Sequence, residues 1–232
     1  MLSSKNSGVN SNKTMFIGHF AVAFAVKRAA PRTSLGVTFA AAQLVDMLWP
    51  IFLLLGWEQV RIAPNANPFL TLEFTSYPWS HSLAMAIVWG VLFAAAYGLM
   101  RKRPRDAAIL GVLVVSHWLL DWVVHRPDLP LFPGDRDLHG MGLWNSLAGS
   151  LTLELAIFIL GILIFLASSS ARDRIGTIGF WVLVAFLAAS YFAATFGPLP
   201  PSTTAVASTA LIGWLIFAFA GWIDRHRRPT SP

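Results

Sequence analysis

His117, Asp121 and His125 carry side chains suited to metal binding or proton transfer, and they recur every four residues within an apolar stretch. On a helix, four residues advance the chain by about 6 Å and rotate it by only about 40°, so the three line one stripe about 12 Å long. A neutral imidazole and a carboxylate at this spacing can bind one divalent ion together, and the same pair can pass a proton. The chain contains no cysteine, so thiolate ligands, thiol nucleophiles and disulfides are excluded, and any metal falls to His, Asp or Glu. The bland alternative for the stripe is a hydrogen-bonded pair that ties helices together.

The elements that must position these residues are hydrophobic. Of 232 residues 56% are apolar and only 12% are charged, with a mean hydropathy of +0.61, which points to lipid as the solvent. Residues 1–14 are rich in Ser, Asn and Gly and read as a flexible tail, too polar for a signal-peptide core. Apolar runs follow at 15–29, 34–56, 81–100, 106–125, 149–167, 176–196 and 205–223. Most are about twenty residues long, enough to cross about 30 Å of hydrocarbon. The first is short and is expected to be tilted, interfacial or re-entrant. The expected fold is therefore an all-α polytopic transmembrane bundle of about seven helices, with one membrane domain at 15–225 and a basic tail at 226–232. Pro31, Pro104, Pro198, Pro200 and Pro201 fall between runs, where no helical hydrogen bond is lost.

Charge gives an orientation. Alternate connections hold Lys27, Arg28 and Arg32, then the 101–105 cluster, then Arg172 and Arg174, then Arg225, Arg227 and Arg228, twelve basic residues against Arg61, Arg126 and Arg136 in the others. Basic residues are retained on the cytoplasmic side. The C-terminus is thus expected in the cytoplasm, and the net charge of +6 is a topology signal, with no nucleic-acid partner implied. On this topology His19, His81, His117, His125 and His139 lie toward the outer side and only His226 faces the cytoplasm. Asp46 and Glu154 sit inside apolar runs, where an unpaired charge costs about 2.5–3.5 kcal/mol on insertion scales. Glu154 is expected to pair with a histidine or Arg126, and His139, in a loop beside Asp137, is expected to be solvated.

Several motifs resemble those of the bacterial inner-membrane family of membrane-bound metal-dependent hydrolases. They are Gly18-His19 in the first run, Asp46 followed by Pro50, Ser80-His81-Ser82 opening the third, and Ser116-His117 with Asp121. The stretch Arg126-Pro127-Asp128-Leu129-Pro130-Leu131-Phe132-Pro133 is similar to the proline-bearing segment that follows in that family. The chain departs where the family has Pro-Asp-x-Asp-His and a later His-Arg, reading Val45-Asp46-Met47-Leu48-Trp49 and Tyr77-Pro78-Trp79. A fainter similarity is to zinc-dependent phospholipases C and nucleases, through the His-x-x-x-Asp motif alone.

Taken with the gathering of histidines on one side, the resemblance implies a divalent metal, zinc or else manganese. His19, Asp46, His81, His117 and Asp121 are the candidate ligands, and His125, with Asp121, the candidate catalytic groups. The implied reaction is hydrolysis of an ester or phosphoester in an amphipathic or lipid-linked substrate at the outer face. Two other readings remain open at this point: an ion- or proton-linked transporter using Asp46, Glu154 and the histidines, and a non-catalytic membrane scaffold descended from such an enzyme.

Overall fold

A computed structural model describes residues 17–63 and 71–230, so the expected 1–14 tail lies outside the described residues. In chain order the helices are α1 (Ile17–Val26), α2 (Leu35–Ala42), α3 (Leu44–Leu54), α4 (Pro78–His81), α5 (Leu83–Arg101), α6 (Pro104–Val124), α7 (Leu147–Ser168), α8 (Arg174–Phe196), α9 (Thr203–Leu211) and α10 (Gly213–Arg225). Strands β1 (Gln59–Ile62) and β2 (Leu72–Ser76) form one antiparallel pair, and β3 (Ser169–Ala171) and β4 (Arg227–Pro229) another. Helices α5, α6, α7, α8 and the α9–α10 unit are each long and apolar enough to cross a membrane. The α2–α3 pair makes a sixth candidate span, bent by 55°. The chain is an all-α, multi-pass membrane bundle.

Two of the expected runs are interrupted where the site is built. The second breaks at Gln43, whose backbone (φ −106°, ψ 8°) leaves the helical region between α2 and α3. Pro50 inside α3 cannot donate to the Asp46 carbonyl, so the backbone loosens one turn below that carboxylate. The third run does not begin at His81. Pro78 starts a single turn, α4, and Ser82 then becomes extended and caps α5 by accepting from the Met85 amide at 3.3 Å. His81 thereby ends its own short helix and turns inward.

The short α1 is enclosed by the bundle, with Ile17, Phe20, Ala23 and Phe24 buried. It packs against α7 so closely that a Cβ at Gly161 would lie 2.3 Å from the Ala21 carbonyl oxygen. Helices α5 and α6 approach through Gly90 and Gly111 in the same way. Such contacts replace the hydrophobic drive that lipid cannot supply between helices. Phe24, Phe39, Phe165 and Phe180 pack together in the centre, with ring centroids 5.0 to 5.8 Å apart.

The basic connections gather at one end. There Lys27 pairs with Asp224 at 2.9 Å, and Arg103 donates to the Arg32 carbonyl at 3.1 Å. Arg227 lies 5.0 Å from the Phe165 and Phe180 ring centres and donates to the carbonyls of Ser169 (3.0 Å) and Gly176 (2.9 Å). At the opposite end the 126–142 connection folds back on α5, with the Leu83 and Ala84 amides donating to Pro130 and Leu131.

Gly161→Val is expected to destabilise the bundle by about 1–3 kcal/mol, since the added carbons meet α1 backbone that cannot yield. The measurement is the thermal unfolding midpoint in detergent. Gly98→Ala, whose Cβ would make only an ordinary 3.4 Å contact with Ala107, should leave that midpoint unchanged or raise it.

Candidate metal centre

Asp46, His19, His81, His117 and Asp121 come together between α1, α3, α4 and α6, away from the basic end. His117 Nε2 is 3.2 Å from Asp121 Oδ2 and 3.5 Å from Asp46 Oδ1. His19 Nε2 is 3.3 Å from Asp121 Oδ1, and His81 Nε2 is 3.3 Å from Asp46 Oδ1 and 3.8 Å from Asp121 Oδ2. Two overlapping triads result, His19–His117–Asp121 and Asp46–His81–His117, in each of which the ligand atoms lie within 4.8 Å of one another. The i, i+4 spacing on α6 supplies His117 and Asp121, as expected on a continuous helix. Asp46 comes from the first turn of α3, where the helix dipole favours a carboxylate.

The outer ring nitrogens are already committed. The break at Gln43 frees the Ala42 carbonyl, which accepts from His117 Nδ1 at 2.8 Å. Glu58 accepts from the Ser80 amide and hydroxyl, each at 2.7 Å, leaving the Ser80 oxygen to accept from His81 Nδ1 at 2.7 Å. Asp128 accepts from His125 Nδ1 at 2.8 Å and from the Tyr77 hydroxyl at 2.7 Å. Each Nδ1 thus has an outer partner, which leaves the Nε2 atom of each ring facing the carboxylates, with His81 Nε2 in hydrogen-bond reach of Asp46 Oδ1 at 3.3 Å. Outer partners of this kind fix the tautomer of histidines that bind metal.

Burial pushes the Glu58 carboxyl above its usual range, opposed by His81 and by the Ser80 donors. Burial and the Asp128 carboxylate push the Tyr77 phenol far up, so Tyr77 stays a donor.

Four of the inner atoms lack a partner of their own. His19 Nδ1 and Nε2, His117 Nε2 and Asp121 Oδ2 are buried and make no well-formed hydrogen bond. Imidazole nitrogens this close to carboxylate oxygens require positive charge between them, a proton or a metal ion, and in a low-dielectric interior the need is strong. Imidazole nitrogens and carboxylate oxygens at these separations match the donor set of a divalent transition ion. The residues present fit a metal.

Among the other residues singled out in the sequence, His125 borders the centre, its Nε2 4.0 Å from Asp121 Oδ1, but belongs to neither triad. His139 is not the solvated side chain expected of a loop. Its backbone pairs with Leu129 and its Nε2 is enclosed, because the connection folds back onto the bundle. Glu154 lies buried on α7 within electrostatic reach of Tyr191 on α8, outside the triads. His226 pairs with Asp173 at 2.7 Å at the basic end.

The outer partners Glu58, Ser80, Asp128 and Tyr77 were not marked as site residues from sequence. The His125-Arg126-Pro127-Asp128 spacing could have flagged Asp128, one turn beyond the stripe. Nothing local flagged Glu58, which reaches Ser80 from 22 residues away.

Glu58→Ala should lower stability by about 1–3 kcal/mol, because the buried Ser80 amide and hydroxyl lose their acceptor. Glu58→Gln, which keeps one carbonyl oxygen, should lose less. Denaturation in mixed micelles compares the two, and equal stability of Glu58→Ala and wild type would refute this account of α4.

Compared with protein-family models, curated proteins and solved structures, the chain matches none.

Proposed function

We propose that the protein is a membrane-embedded, metal-dependent hydrolase acting on an ester or phosphoester of an amphipathic or lipid-linked substrate. The observation that carries this reading is the pair of triads in which imidazoles held from behind turn their Nε2 atoms toward the buried Asp121 and the half-buried Asp46. The motif resemblance to inner-membrane metal-dependent hydrolases supports it. Zinc is the first choice of metal and manganese the second. The resemblance favours a bacterial inner membrane, and the distribution of basic residues favours a cytoplasmic C-terminus with the centre toward the outer side.

His19, Asp46, His81, His117 and Asp121 would hold the ion. Bound there, a divalent ion supplies Lewis acidity and lowers the pKa of a water toward about 7. The protein's own part is to orient and to move a proton. His125 Nε2 faces the centre and is free to accept a proton from the attacking water, while Asp128 and Tyr77 fix the ring from behind. Asp121 stands between His125 and the other imidazoles and orients both. The same proton, returned from His125 to the leaving oxygen, completes hydrolysis.

A carrier is disfavoured by the Phe24, Phe39, Phe165 and Phe180 core, which separates the centre from the basic end.

Elemental mass spectrometry of the detergent-purified protein should find about one equivalent of metal or more, and Asp121→Ala and His117→Ala should lose it while still inserting. Full metal content in both variants would sink the assignment. Ser80→Ala should weaken metal affinity about 10- to 100-fold. His125→Ala should keep the metal and lower turnover of a phosphoester or ester substrate by about 10²- to 10⁴-fold.

A further inference from the structure

A cavity of about 840 Å³ begins at Asp46, His81, Asp121 and His125 and runs away from them between α8 and the α9–α10 unit. Its walls are two helical stripes. On α8, Val182, Phe186, Ser190 and Ala194 recur every four residues; opposite them stand Val206, Ala210, Gly213 and Ile216. The α8 stripe is about 18 Å long at 1.5 Å per residue, more than half the thickness of a hydrocarbon core of about 30 Å.

The window has a structural cause. Helices α8 and α10 are zipped together at the basic end, where Gly179 abuts Ile223 and Arg227 bonds the Gly176 carbonyl. At the other end the connection through Pro198, Pro200 and Pro201 leads α9 onto α3 instead of back along α8. The two helices therefore part in the middle. Val182, Phe186, Ile212 and Leu215 line the opening and are also exposed on the outside of the bundle, where the bilayer lies.

An apolar window alone would identify nothing. Two polar groups on its inner wall do. Gln43 is fully buried, lines the cavity, and has both its amide oxygen and its amide nitrogen without a hydrogen-bond partner. Trp49 is buried on the same wall with its indole N–H also unpartnered. Gln43 precedes Asp46 and Met47 by three and four residues, so all three project from one face of the broken helix into the cavity. Leaving an amide and an indole N–H unpaired is costly, and the cost is recovered by a ligand that brings oxygen acceptors to this depth. A membrane lipid has this pattern: a hydrocarbon tail, then ester or phosphoester oxygens.

We propose that the window between α8 and α9–α10 admits the hydrocarbon tail of a membrane lipid from the bilayer, and that the Gln43 amide, with Trp49, receives the lipid's ester or phosphoester oxygens beside the metal centre. This deepens the hydrolase reading and rests on it for the meaning of the centre. The occupation of the window does not depend on that reading.

The probe is phosphatidic acid carrying a diazirine on one acyl chain, at trace level in phosphatidylcholine vesicles holding the full chain. After illumination, adducts are mapped by proteolysis and mass spectrometry. Adducts are expected on the 182–194 and 206–216 stripes in addition to the outward residues Leu99, Met100 and Val112, which report correct insertion. Ala210→Trp and Ser190→Trp, which fill the window from opposite walls, should each cut the inner adducts at least tenfold and leave the outward ones unchanged. Gln43→Leu removes an unpartnered amide at similar volume, so it should keep the thermal midpoint while lowering inner adducts several-fold.

Inner adducts that are absent from wild type, or that survive both tryptophan variants, would overturn the proposal. Inner adducts indifferent to Gln43→Leu would remove Gln43 from it. Metal content measured on the same samples separates the two readings. A labelled window in a chain that takes up no metal keeps the lipid site and discards the hydrolase, whereas metal without inner label does the reverse.

Discussion

Two carboxylates within a hydrogen-bond length of the same imidazoles, inside a bundle solvated by lipid, set the terms for the rest of this structure. Asp46 and Asp121 both approach His117, and the enclosed Asp121 has no water into which its charge can spread. Every nearby irregularity serves to surround them with oriented groups. The break at Gln43 exposes a carbonyl that holds His117, and the turn at α4 swings His81 inward. The 126–142 connection packs down on α5 and carries Asp128 behind His125. Elsewhere the helices run long and regular, since nothing there asks for a free backbone group in a medium that punishes one.

The two ends of the bundle use opposite strategies. At the basic end, charge is neutralised by specific pairs and by aromatic faces, as with Lys27 and Asp224 or Arg227 over Phe165 and Phe180, so α7, α8 and α10 are held together. Toward the other end, α8 and α9 part company and the space between them is left apolar. Between the two, α1 is tied to α7 by backbone contact at Gly161, which sets the position of His19.

Much of this was legible in the sequence because bilayer thickness and helical pitch are strong constraints. The long runs became α5, α6, α7, α8 and α9–α10, and the four-residue spacing of His117 and Asp121 placed them on one face. The gathering of His19, Asp46 and His81 beside them was suggested only by motif resemblance and by counting sides, since no local pattern in three separate helices encodes their meeting. The breaks were harder still. Gln43 stands in the middle of the 34–56 run with no Gly or Pro within six residues of it, and the bend there accompanies packing of α3 against α9 and the His117 bond to the Ala42 carbonyl. His139 was misjudged because a loop rich in Asp, Gly and Pro looks solvated until its backbone is seen to pair with Leu129.

The centre is graded in its enclosure: the Asp46 side chain keeps 28% of its surface, whereas His19 and His117 keep 1% each. The cavity reaches the centre at Asp46, and it is the same space that a lipid would occupy. On the reading proposed above, loading would be ordered, with the ion first and the lipid second. A seated lipid would then be a stopper over the ion, and exchange of the ion would be slowest with the cavity full. Chelators in lipid-rich preparations would then read slow kinetics as high affinity.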